Sequence, residues 1–337
     1  MRAHFTDVCA GLLAAALAFT DYGQSPRGWL AQANAALQAG EADKALTLLD
    51  GTPAAAPGDA TRGPDTASLA EAHNLACRVH FTLERWDAAI GECEQAVSLD
   101  GGSSNYHMWL GRALGEKADR ASFINAYSLA KRVRAEFETA VELNERNGEA
   151  LADLGEFYCD APGVIGGGLD KAEGVAAKLE KVDPMRGHEL RSQIAEQRKD
   201  YAAAEREIRQ AIAASAHPAF QWMDLASFYR RRERWAEMES AVRSGASVEE
   251  RDKRASAALY SGAGVLVKTN RQTALAARML EDYLASNSKS EEAPAFAAWT
   301  QLARLREQMG DAEAARRDRV AAAVLARDYR PGAGGNH

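Results

Sequence analysis

The chain has 337 residues, of which 46% are apolar, 7% aromatic and 26% charged. That suffices for a sizeable core, yet no apolar run reaches the ~20 residues that a membrane-spanning helix needs. The net charge of -7 lacks the basic field of a general nucleic-acid binder, and nine prolines and four cysteines exclude a Pro-rich disordered chain and a disulfide-dense miniprotein.

In chain order, residues 1–18 read as a secretory leader. Arg2 gives a positive start, Val8 to Leu17 is apolar, and Ala16-Leu17-Ala18 has the small-x-small pattern of a signal-peptidase site. The competing reading is an uncleaved first helix. Ser25 as N-cap and Pro26 at the first helical position open a first helical hairpin over residues 25–50. Residues 51–68 begin rich in Gly, Pro, Ala and Thr and read as a flexible loop. From residue 69 to 328, apolar residues recur at three- and four-residue spacing, which predicts helix throughout and no strand. Residues 329–337 are expected to be a disordered tail.

The helical stretch repeats itself. Arg85-Trp86-Asp87-Ala88-Ala89-Ile90 precedes Gln95-Ala96-Val97, and Trp109-Leu110-Gly111-Arg112 precedes Phe137-Glu138-Thr139-Ala140-Val141-Glu142-Leu143-Asn144. Leu154-Gly155-Glu156-Phe157-Tyr158, Tyr201-Ala202-Ala203-Ala204, Trp222 with Tyr229 and Trp235, and Trp299 with Gly310 and Ala315 continue the scheme. This pattern resembles tetratricopeptide repeats, units of ~34 residues made of two antiparallel helices. The resemblance implies an all-α, right-handed α-solenoid of about eight helical hairpins, because one hairpin cannot bury its apolar face alone. Cys77, Gly111 and Gly155 on first helices, and Ala89, Ala96, Ala140, Ala204, Ala211 and Ala315 on second helices, are the small residues that let helices approach. Trp86, Tyr201 and Trp235 should cap the hairpin cores at the turns. The pattern is weakest over residues 253–285.

Two insertions interrupt the period. Lys117 to Lys131 should lengthen the third hairpin or form an arm. Ala161-Pro162-Gly163-Val164-Ile165-Gly166-Gly167-Gly168 separates the helices of the fourth. The glycines suggest a phosphate cradle, but Leu169-Asp170 follows where Lys-Ser/Thr is required, and a helix precedes where a strand is required. An interhelical turn with Val164 and Ile165 as a contact loop is the favoured reading. Over residues 105–184 the combination is distantly similar to regulator of microtubule dynamics proteins and to related bacterial tetratricopeptide proteins of unassigned function. The chain departs from them at the Gly-rich loop, so microtubule binding does not carry over.

His73, Cys77 and His80 share a helix face, and Cys93 falls opposite on the next helix. These types can ligate zinc, but the same positions are inward packing positions of the repeat, and packing is the preferred account. Export would permit a Cys77–Cys93 disulfide. No nucleophile elbow, metalloprotease motif or carboxylate pair stands out, so no enzyme and no cofactor are expected.

First helices of such a stack line a concave groove. The register puts Asn74, Arg78, Arg112, Glu116, Glu156, Gln193, Glu196, Arg230 and Arg231 on that wall. The expected function is a non-enzymatic scaffold that binds a protein or peptide there, in the periplasm or secreted, with Arg112 and Arg230 engaging an acidic partner. The alternatives are an enzyme or a ligand- or metal-binding repeat protein with a pocket near the Gly-rich loop, and a cytoplasmic assembly factor.

Overall fold

The computed structural model describes residues 28–51 and 65–331. The leader, the Ser25–Pro26 cap, most of the loop and the tail from residue 332 lie outside the described residues. The described residues form sixteen α-helices and no strand. They pair in order: α1 (Gly28–Ala39) with α2 (Ala42–Asp50), α3 (Thr66–Thr82) with α4 (Trp86–Leu99), α5 (Ser104–Asp119) with α6 (Phe123–Leu143), and α7 (Gly148–Asp160) with α8 (Leu169–Val182). The second half continues with α9 (Pro184–Gln197) and α10 (Tyr201–Ala214), α11 (Ala219–Arg231) and α12 (Trp235–Glu249), α13 (Ala257–Lys268) and α14 (Thr273–Ala285), and α15 (Ala295–Gln308) and α16 (Ala312–Leu325). The expected count of eight hairpins is met, and the weakly patterned 253–285 stretch supplies one of them. α3 begins at Thr66, inside the span read as loop, because the Asp65 carboxylate accepts from the Ser68 amide and caps it.

One turn recurs between the helices of a hairpin. Gly40, Glu84, Lys199, Glu233 and Gly310 all take positive φ. In each case the next amide, of Glu41, Arg85, Asp200, Arg234 or Asp311, donates to a carbonyl five residues back. Glycine enters this left-handed region freely, and the three longer side chains pay for it in strain. The following residue then starts the second helix. Asp200 and Asp311 do so with their own carboxylates, on the amides of Ala203 and Ala314.

The small residues stand where the helices come closest. Ala89, Ala96, Ala140, Ala204, Ala211 and Ala315 are all fully buried. A Cβ on Gly111 would sit 2.5 Å from the Phe137 ring, so glycine is what lets α5 lie on α6. The turn aromatics are less enclosed than expected. Tyr201 is 38% exposed and is roofed by the Arg232 guanidinium of the next hairpin, while Trp86 meets Phe81 edge-on and carries Arg120 over its face.

Both insertions act locally. Lys117–Lys131 lengthens the third hairpin, giving α6 21 residues, and leaves Phe123 and Ile124 exposed at its tip. Residues 161–168 form an interhelical turn around a 3-10 turn at Gly163–Ile165. The amides of Gly166, Gly167 and Gly168 donate to the carbonyls of Gly163, Pro162 and Tyr158. Their donors are thus committed inside the turn, which leaves no anion cradle. A Cβ on Gly167 would overlap the Ala161 carbonyl.

The stack curls until its ends meet. Trp29, Leu30 and Leu37 of the first hairpin share one core with Leu75 and Val79 of α3 and with Phe296 and Ala326 of the last hairpin. Gly40 abuts Ala295 so closely that a Cβ would lie 2.3 Å from its amide nitrogen. Glu291, just before α15, accepts from Arg78 of α3 at 2.5 and 3.0 Å and from Gln38 of α1 at 3.0 Å. Tyr329 stacks edge-on against Phe296 and donates to Glu84 at 3.1 Å.

Candidate concave binding site

First helices of successive hairpins pack on one another, α3 on α5, α5 on α7 and α7 on α9, with α11 on α13 further along. Their outward turns form a wall that runs unbroken from α3 to α9 and again from α11 to α13, and two cavities open on it. The first, of about 390 Å³, lies between α5 and α7 and is lined by Arg112, Glu116, Asp119, Glu156 and Asp160, with Phe81, Phe137 and Phe157. The second, of about 260 Å³, lies between α9 and α11 over a floor of Ile208 and Ala211 from α10. Its walls are Glu189, Ser192, Gln193 and Glu196 on one side and Gln221, Asp224, Ser227 and Arg231 on the other.

Paired antiparallel helices, a turn shared by five of the hairpins, small residues at the close approaches and first helices packed on one another together decide the architecture. The fold is a tetratricopeptide-like helical repeat. No known family profile and no curated protein matches the sequence. Among solved structures, the chain is similar to TTC0263, a thermophilic TPR protein of Thermus thermophilus, at 18% identity and a TM-score of 0.43, over 64% of this chain and 98% of that one. It is also similar to pilF of Pseudomonas aeruginosa, at 12% identity and a TM-score of 0.37, over 78% of this chain and 94% of that one. At these values neither likeness bears on a partner or an activity.

The tetratricopeptide-like register sorts the expected groove residues into three groups. Arg112, Glu116 and Glu156 meet in the first cavity, and Gln193, Glu196 and Arg231 in the second. Asn74 is buried, with its Nδ2 lacking an acceptor, and Arg78 is spent on Glu291 at the closure of the stack. Arg230 lines neither cavity, and its Nε is buried without an acceptor. Val164 is 75% exposed, whereas Ile165 turns into the first cavity and its carbonyl accepts from Arg134.

The arginines that line the two cavities are already engaged. Arg112 donates to Asp153 at 2.6 Å and to Glu149 at 3.2 Å, and stacks over Trp109 with 4.8 Å to the ring centroid. Arg231 donates to Glu196 at 2.5 and 3.1 Å. Neither is free for an acidic partner, contrary to the expectation for Arg112. The unpaired charges are carboxylates instead. Asp119, Glu156 and Asp224 form no ion pair or hydrogen bond among the described residues, and Glu189 has only the neutral Gln221 amide, at 2.9 Å. Burial pushes the Glu156 carboxyl above its usual range, helped by Asp153 and Asp160. Burial likewise raises Glu189, against the Gln221 hydrogen bond. Asp224 is reachable by solvent but hemmed in by the wall, and this desolvation, with Glu189 beside it, pushes it up to about 7.

Away from the wall, Cys77 and Cys93 are joined as a disulfide across α3 and α4, with 5.2 Å between their Cα atoms. That removes both thiols from the zinc reading. His73 is bonded to Glu92 at 2.7 Å, and burial holds His80 below the usual histidine range. No group of three or more potential metal ligands occurs among the described residues. Cys159 is buried as a free thiol, pushed up to about 12 by that burial, and so is a poor nucleophile. No helix among the described residues is long and apolar enough to cross a membrane.

Sequence reasoning missed Glu189, Gln221 and Asp224. Gln221 carried a signal: it is a polar residue at a buried position between Ala219 and Met223. Asp224 and Glu189 carried none, since a carboxylate on a helix is most simply a solvated one.

Proposed function

We propose that the chain is a non-catalytic scaffold whose concave wall docks an extended, basic segment of another protein. The observation that carries this reading is the pattern of pairing in the two cavities. The arginines that line them are ion-paired, Arg112 with Asp153 and Glu149 and Arg231 with Glu196, while the Asp119, Glu156, Glu189 and Asp224 carboxyl groups form no ion pair among the described residues. Unpaired carboxylates in a partly desolvated groove favour cations and disfavour acidic partners. Aromatic side chains in the first cavity add apolar contact for the same segment. A location in the cell envelope suits the Cys77–Cys93 bond, since oxidising compartments preserve disulfides.

The test is cross-linking and affinity capture from the native host, followed by peptide binding at low and high salt. A captured protein with a basic segment, whose peptide binds more weakly as salt rises, supports the reading. Absence of any protein partner, or preference for acidic over basic peptides, overturns it.

A further inference from the structure

The second cavity is more than an acidic patch. Gln221 is 95% buried by its 5% exposure, and its side-chain Oε1 has no donor, although its Nε2 is tied to Glu189 at 2.9 Å and lies 3.4 Å from the Met185 sulfur. A buried carbonyl without a donor is a cost that folding alone does not explain. The Asp224 carboxylate opposite is likewise without a donor, and the Ser192 and Ser227 hydroxyls can accept. Arg231 is the one cation among the lining residues; Glu196 holds it and its charge also reaches Asp224, while Arg186 influences Glu189 from outside the lining. The floor of Ile208 and Ala211 is apolar.

We propose that the cavity between α9 and α11 is a seat for the side chain of a lysine on the docked protein segment. Methylenes lie on Ile208 and Ala211, and the ammonium is held by Asp224 and Glu189; the Gln221 Oε1, enclosed in the free chain, becomes a neutral acceptor when its side chain turns toward the ammonium. An ammonium fits better than a guanidinium, because it is a compact charge whose three N–H donors can reach acceptors on opposite walls, whereas a planar fork needs coplanar ones. The proposal rests on the docking-groove reading above and adds the residue type that anchors the segment.

The full chain, labelled at methionine methyls and glutamine side-chain amides, would be titrated with N-acetyl-lysine methylamide, the matching norleucine compound and spermidine. The expected result is saturable NMR shifts at the Met185 methyl and the Gln221 amide with the lysine compound and none with norleucine. Asp224→Asn and Glu189→Gln should each raise the lysine Kd by about tenfold. Equal shifts with norleucine, no shift with lysine, or an unchanged Kd in both variants would overturn the proposal. Spermidine binding more than about tenfold tighter than the lysine compound would assign the seat to a free polyamine and overturn the protein source. A basic partner captured by a chain that shows no lysine shift would leave the groove reading standing and remove this one.

Discussion

Asp224→Asn should stabilise the folded chain at neutral and alkaline pH while weakening its hold on cations. The folded carboxyl titrates near 7 against an ordinary 3.8, because the wall desolvates it and Glu189 stands close. Between those two values the folded chain holds a proton that the unfolded chain has released. Stability therefore falls as pH rises from about 4 to about 7, and the loss stays constant above that. Fully realised, the interval is worth about 4 kcal/mol. The side chain keeps solvent contact, and screening reduces the expected gain in the variant to about 1 kcal/mol. Urea denaturation of both proteins at pH 4, 6 and 8 checks this. The advantage of the variant should grow across the series and level off at the top. A constant difference, or a parent chain that gains on the variant as pH rises, would refute the argument that Asp224 is held against its own charge.

Cys77→Ser with Cys93→Ser should cost about 3 kcal/mol in urea denaturation, from the loop entropy released over a separation of 16 residues; an unchanged midpoint would mean that the bond does not constrain the unfolded chain. Gly111→Ala should destabilise by about 1–3 kcal/mol because the Phe137 ring has to yield, whereas Gly91→Ala, with open space around it inside α4, should stabilise by about 0.5–1 kcal/mol. Thermal melts that rank these two the other way would contradict the helix approach described here. Lys199→Gly should gain about 1 kcal/mol by relieving a positive φ, measurable as a raised Tm, and a lower Tm would show that the turn is not strained there. Glu291→Ala should cost about 2 kcal/mol and raise amide exchange in α1 and α3 together; faster exchange confined to residues near 291 would deny the closure.

The hairpins were legible because close approach leaves a local trace. Ala89, Ala140 and Ala204 sit at the contact points, and Trp86 and Trp235 mark the turns. The α13–α14 hairpin was faint for the same reason inverted: Gly262 meets the methionines Met279 and Met223, and no aromatic marks its turn. The curled closure left no trace, since Arg78 and Glu291 are 213 residues apart and neither differs in type from a solvated neighbour. Six of the nine expected groove residues line the two cavities, but the pairing of their charges was not legible. Register shows which way a side chain faces, and it cannot show that Arg112 is already occupied by Asp153 and Glu149.

An open stack of hairpins behaves as a spring: it stretches, and it can gain or lose a unit at either end without disturbing the middle. Here Phe296 and Ala326 are seated against the first hairpin, so each end serves as the other's cap. Bending that opens the inner wall would have to pull this shared core apart, and an added or deleted hairpin would have to re-space the cavities at α5–α7 and α9–α11 as well as the closure.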